Sequence, residues 1–191
     1  MDGNQLEKLL DGLTSTQKER VRVALVSLDE GLLTSSEFVD LVASIVLAGN
    51  ARAYGIGAAL ARSLIENQAG LVETTPASSA SHALDEPRVR EALGTILAAE
   101  QDTLMQLQRL AGNEAQQAAA DGSSDVLRAS HRATGWVREM DADACQLCRW
   151  WWREGRVWRA DHPMPRHTGC GCQQTPVVDV ATDNAQEGAS A

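Results

Sequence analysis

Five residues near the C-terminus have the types and spacing of metal ligands. They run Cys145-x2-Cys148-x18-His167-x2-Cys170-x-Cys172, and the run holds all four cysteines of the chain. A two-residue gap lets one tight turn aim the thiolates of Cys145 and Cys148 at a single ion, and the second group adds an imidazole and two further sulfurs. Zinc takes four N/S donors in a tetrahedron, and two half-sites joined by a loop supply them. Cys145 and Cys148 form the firm half. His167 and Cys170, three apart, can meet the same ion from one turn. Cys172 is then either the fourth ligand in place of His167 or a thiol beside the site. A site closed by four protein donors has no open position for substrate, so the spacing predicts structural zinc.

Other chemistries fit less well. Cys148 near His167 would make a thiol–imidazole pair, but clustered thiols compete for that role and no orienting Asn or Asp stands out. The chain has no Gly-x-Ser-x-Gly elbow. The Cys-x-x-Cys lacks the βαβ setting of a thioredoxin-like redox motif.

The elements that must position these residues divide the chain by composition. At 191 residues with 43% hydrophobic content it is long enough for one modest core and a small appended module. Only seven residues are aromatic, and all five tryptophans (Trp136, Trp150, Trp151, Trp152 and Trp158) crowd around the cysteines. The rest is Ala/Leu/Val-rich. Charge splits in the same way. The net is −9, yet residues 128–167 carry eight arginines against five acids, +3, leaving −12 for the remainder. Arginine suits carboxylate or phosphate. The acidic body opposes a nucleic-acid face, and DNA contact rests on those arginines alone. No stretch supplies the ~20 apolar residues of a membrane span. The N-terminus has no signal-peptide pattern, which favours a reducing compartment and metal over disulfides.

Apolar periodicity predicts a mainly α fold, a hairpin or bundle of long Ala-rich helices carrying a small α+β zinc knuckle. Residues 4–30 read as two short helices, with Thr16 capping the second. Thr34-Ser35-Ser36-Glu37 is a capping box opening a long helix over about 35–68, with Phe38, Leu41, Val42, Ile45, Val46, Gly49, Ala53 and Ile56 on its buried face. Gly49, Gly55 and Gly57 are costly in a helix; small residues there would let another backbone approach closely or would kink the rod. A polar linker spans about 70–86. A second long helix runs from Pro87 to about 120, stopped by Asp121-Gly122-Ser123-Ser124, with a shorter helix beyond. Residues 1–133 thus make a helical domain and 134–176 a zinc module with its own core. In that module Trp136-Val137-Arg138 and Arg156-Val157-Trp158-Arg159 form short strands, and Trp150-Trp151-Trp152 a helical turn. The small, acidic residues 177–191 predict a disordered tail.

The C-terminal motifs resemble a known family. Gly135-Trp136-Val137-Arg138, Asp143-Ala144-Cys145-Gln146-Leu147-Cys148, Glu154-Gly155-Arg156-Val157-Trp158 and His167-Thr168-Gly169-Cys170-Gly171-Cys172 resemble the C-terminal signature of tailed-phage minor head proteins, the MuF-like head-morphogenesis family in its actinobacteriophage form. The likeness covers 134–172; upstream it is one of type only. The resemblance implies a minor capsid protein near the portal, made during procapsid assembly in the host cytoplasm and retained in the phage head. Its partners would be portal and capsid proteins, with no membrane and no small-molecule substrate. Some relatives carry an enzyme domain beyond the signature; about 20 residues follow Cys172 here, too few for one. Related genes are also called capsid maturation proteases, which makes a protease component the alternative and a nucleic-acid-binding zinc protein a second one. Trp150, Trp151, Trp152 and Trp158 exceed what a small knot can bury around one ion, so they are the expected docking residues.

Overall fold

The computed structural model describes residues 3–73, 84–99 and 101–179. Their order is α1 (Gly3–Asp29), α2 (Ser35–Ala69), α3 (Glu86–Ala99), α4 (Thr103–Ala129), β1 (Ala133–Glu139), α5 (Gln146–Trp152), a 3-10 turn (Arg153–Gly155), β2 (Trp158–Arg159) and β3 (Gln173–Val178). The architecture is mainly helical, with a small antiparallel sheet of order β2-β1-β3 at its C-terminal end.

The expected capping box starts α2. The Thr34 backbone N–H donates to Glu37 Oε2 at 2.8 Å, and the Glu37 N–H donates to Thr34 Oγ1 at 3.3 Å. Gly70, in the left-handed region at φ 66°, ends the helix. Three expectations about the helices are corrected. Residues 3–29 form one helix rather than two. Thr16 does not cap, because its hydroxyl donates back to the Gly12 carbonyl at 2.8 Å within the continuous helix. The helix expected from Pro87 to about 120 is two, parted before Thr103 at Asp102, whose φ is 48°. The apolar spacing from Leu97 to Leu104 keeps phase across that joint, so periodicity did not reveal it. Finally, Asp121-Gly122-Ser123-Ser124 does not stop α4. Gly122 lies against the Tyr54 backbone, and Ser123 Oγ donates to the Gly57 carbonyl at 3.0 Å, so both are packing residues of a continuing helix. Leu41, expected on the buried face of α2, points outward.

A stripe of small residues lets α2 and α4 run in backbone contact. A Cβ on Gly57 would come 1.9 Å from the Ala119 carbonyl oxygen, and one on Gly122 would come 2.2 Å from that of Tyr54. Gly49 makes room instead for the Gln17 side chain of α1, whereas Gly55 faces open space. Along this seam the core passes from Val21, Phe38, Val46, Val89 and Leu107, through Ala53, Tyr54 and Ala115, to Ala61, Ile65, Val126 and Leu127. By length and mean hydropathy α2 is, among the described helices, able to cross a membrane; 56% of that window is buried within the fold, as in a core helix.

The last part of this core corrects the expectation of separate cores. Ala58, Ala61 and Ile65 of α2 and Val126 and Leu127 of α4 pack directly with Ala133, Trp136 and Val178 of the sheet. Polar ties cross the same boundary. Gln68 Nε2 donates to the Pro176 carbonyl at 2.9 Å, Ser124 Oγ to Gln174 Oε1 at 2.7 Å, and the Gly169 N–H to Asn113 Oδ1 at 2.9 Å. β3 alternates half-buried and buried residues along its length and includes Val177 and Val178, which were assigned to the tail. Residues 180–191 of that tail and 74–83 of the linker lie outside the described residues.

Candidate metal centre

α5 with its N-cap residue and the loop before β3 together carry every proposed ligand. Cys145 occupies the N-cap position of α5 and Cys148 its third helical position, so one turn places both sulfurs on one side. Gly169, at φ 75°, bends the returning chain and brings His167, Cys170 and Cys172 to meet them. Gly171 lies so close to Asp141 that a Cβ would approach its Oδ2 to 2.0 Å.

The donor atoms converge on one sulfur. His167 Nε2 lies 3.0 Å from Cys148 Sγ and 3.2 Å from Cys145 Sγ, and Cys148 Sγ lies 3.6 Å from Cys170 Sγ. Two triads result, Cys145–Cys148–His167 and Cys148–Cys170–Cys172, each with its donor atoms mutually within 4.8 Å and both sharing Cys148. Zinc with bonds of ~2.3 Å to sulfur and ~2.0 Å to nitrogen holds its donors roughly 3.5–3.8 Å apart, so small side-chain rotations suffice to close either triad on an ion. All four cysteines are free thiols; Cys145 is exposed, the other three buried. The arrangement is compatible with a metal site.

The surroundings prepare these donors. His167 Nδ1 lies 2.9 Å from the Thr168 carbonyl; an N–H there places the free lone pair on Nε2, facing the sulfurs. Trp151 stacks on the imidazole with centroids 6.2 Å apart, and the Arg138 guanidinium sits 5.4 Å above Trp151. Arg138 is 2% exposed; it donates from Nη2 to the Pro165 carbonyl at 2.5 Å and from Nη1 toward Cys170 Sγ at 4.0 Å. Arg166 donates to the carbonyls of Cys172, at 3.0 Å, and Cys170. Two guanidinium groups therefore flank the sulfurs, the charge that a negatively charged zinc–thiolate centre needs when buried.

The thiols differ accordingly. The backbone N–H of Cys148 holds the Cys145 thiol below its ordinary pKa, with His167 adding a smaller effect. Burial pushes the Cys148 thiol well up, reinforced by Cys172 and Cys170. Burial also opposes ionisation of Cys170, but Arg166 and the Cys172 N–H outweigh it and hold that thiol below its ordinary value. Burial draws the Arg166 pKa down. A bound cation reverses the balance at Cys148, because the ion's charge replaces the lost solvation.

The tryptophans do not form one surface. Trp136 is fully buried; it stacks with Trp158 at 6.1 Å, and its Nε1 donates to the His162 carbonyl at 3.1 Å. Trp158 also stacks on His162 at 4.4 Å and lies under Arg156. Trp151, Trp152 and Trp158 are half-buried, and Trp150 is 75% exposed. Of the four expected docking residues, Trp150 alone is presented freely. In the sequence Arg138 stands out only as part of a short strand and of the Gly135-Trp136-Val137-Arg138 motif. The signal that marks it is the two-residue step from Trp136 along β1, which puts both side chains on the inward face.

Compared with known protein families, with characterised proteins and with solved structures, this chain gives no match.

Proposed function

We propose that this chain is a minor head protein of a tailed phage that works by contact during procapsid and portal assembly, with a structural zinc ion fastening its C-terminal module. The observation that supports this reading is the convergence of Cys145, Cys148, His167 and Cys170 within the segment whose motifs resemble the minor-head-protein signature. Cys170 is the proposed fourth ligand, because its sulfur has the 3.6 Å contact with Cys148; Cys172 is then a buried thiol beside the centre. A staple of this kind suits a module whose own sheet has only three short strands. Trp150, with Arg149 beside it on α5 and Arg153 just past the helix end, supplies the docking knob, since aromatic and arginine side chains contribute most at interfaces. Portal and capsid proteins are the proposed partners, and the phage head the proposed location.

The alternative is a capsid-maturation protease. The contact of exposed Cys145 with His167, at 3.2 Å, is what favours it. Co-expression with the portal and major capsid proteins of the same phage separates the two. Intact capsid protein and co-purification with the portal, reduced by Trp150→Ala, are the expected results. Specific cleavage of the capsid protein that disappears in Cys145→Ser would overturn the contact reading.

A further inference from the structure

Cys148 touches donors on both of its sides, and that geometry suits thiol chemistry as well as metal binding. Cys145 is exposed to solvent, while Cys148 and Cys170 are each 2% exposed and 3.6 Å apart at sulfur. A small oxidant therefore reaches Cys145 first. Cys148 is the neighbour able to resolve the oxidised product, and Cys170 is placed to attack Cys148 in turn.

We propose that the cluster is also a disulfide-forming site, in which Cys145 takes up the oxidising equivalent of a peroxide and Cys148 passes it to Cys170. The Cys145 thiolate attacks one oxygen of the peroxide; the O–O bond breaks, one oxygen leaves as water or alcohol, and Cys145 becomes a sulfenic acid. The Cys148 sulfur attacks the Cys145 sulfur and expels water, giving the Cys145–Cys148 disulfide. The Cys170 thiolate then attacks Cys148 Sγ and displaces Cys145, whose thiolate is reprotonated by solvent. Two thiols are oxidised for each peroxide reduced. The end product is a buried bond joining α5 to the chain ahead of β3. It closes a loop of about 20 residues, which in the chain-entropy picture constrains the unfolded state far more than the four-residue Cys-x-x-Cys ring.

This step requires the metal to be absent or displaced, and it does not require that metal to be zinc. Its biological use rests on the head-protein reading: a chain assembled in a reducing cytoplasm and kept in a particle outside the cell would exchange one cross-link for another.

The test is disulfide mapping by peptide mass spectrometry on the full-length protein, before and after chelation, with hydrogen peroxide as the probe. Metal content is measured separately on the untreated sample, so a failure of the metal assignment is visible independently of this chemistry. The expected result after chelation is a loss of two hydrogen atoms in mass, with Cys148–Cys170 as the final linkage and Cys145–Cys148 as a transient. Cys170→Ser should halt at Cys145–Cys148, and Cys145→Ser should slow oxidation by about tenfold, because the remaining sulfurs are buried. A wild-type end product of Cys145–Cys148, or oxidation as fast without Cys145, would overturn the proposal.

Discussion

Cys148 and Cys172 are both buried thiols of the same cluster, yet their positions predict different consequences. Cys148 belongs to both donor triads, Cys172 to one. Cys148→Ser should abolish stoichiometric zinc, whereas Cys172→Ser should retain it; equal loss in both, measured by metal analysis, would move Cys172 into the ligand set. Arg138 offers a second test. If its buried guanidinium balances thiolate charge, Arg138→Met should keep the fold and weaken zinc binding by about 10–100-fold in competition with a chromophoric chelator, the usual effect of losing a partner that supports metal ligands. The pH dependence has a defined sign. Zinc binding must remove the proton that burial holds on Cys148, so apparent affinity should rise with pH and the ion should be released on acidification. A flat profile from mildly acidic to mildly alkaline pH would argue that this sulfur is not a ligand.

Among the elements, the α2–α4 seam carries the sharpest stability contrast. Gly57→Ala drives a methyl group into the Ala119 carbonyl and should destabilise the fold by about 3 kcal/mol or more. Gly55→Ala, two residues away and facing open space, should stabilise it by about 0.5–1 kcal/mol. Chemical denaturation of the two variants checks this, and the reverse order would contradict the seam. These glycines also show what the sequence made legible. The cost of Gly57 inside a helix pointed to a close approach before its partner was known, although Gly55, equally costly, faces open space, and the capping box at Thr34 placed the start of α2. Gly122 and Ser123 looked like a stop because the same small residues end helices and allow them to touch; only the neighbouring α2 backbone distinguishes the two. β3 stayed hidden because Gln173–Val178 is short, contains Pro176, and gains its alternation from packing on α2 and α4. The Cys/His cluster was legible because residue types and spacing suited to a metal stand out in a sequence, whereas the contacts of Arg138 and Arg166 with the cluster depend on tertiary packing that leaves little trace in spacing.

In the whole molecule, the sheet is fixed to the bundle by an apolar core, and the segments flanking it are brought together a second time by the Cys/His cluster. Trp136 and Val178 share a core with Ile65 and Leu127, and the Cys/His cluster joins α5 to the loop that leads into β3. The first attachment is apolar and built from side chains alone. The second has buried thiols whose ionisation burial and neighbouring charges drive in opposite directions, and the proposed zinc ion would satisfy both. Under the proposed function, the ion would hold Trp150 and its neighbouring arginines at a defined angle to the helical body, as a docking surface needs. The proposed structural role of the Cys/His cluster depends on that ion. The most direct measurement is native mass spectrometry of the full-length protein purified without added metal. A structural zinc site predicts a mass excess of one zinc per chain, lost on acidification; a folded chain that carries no metal under those conditions would contradict it.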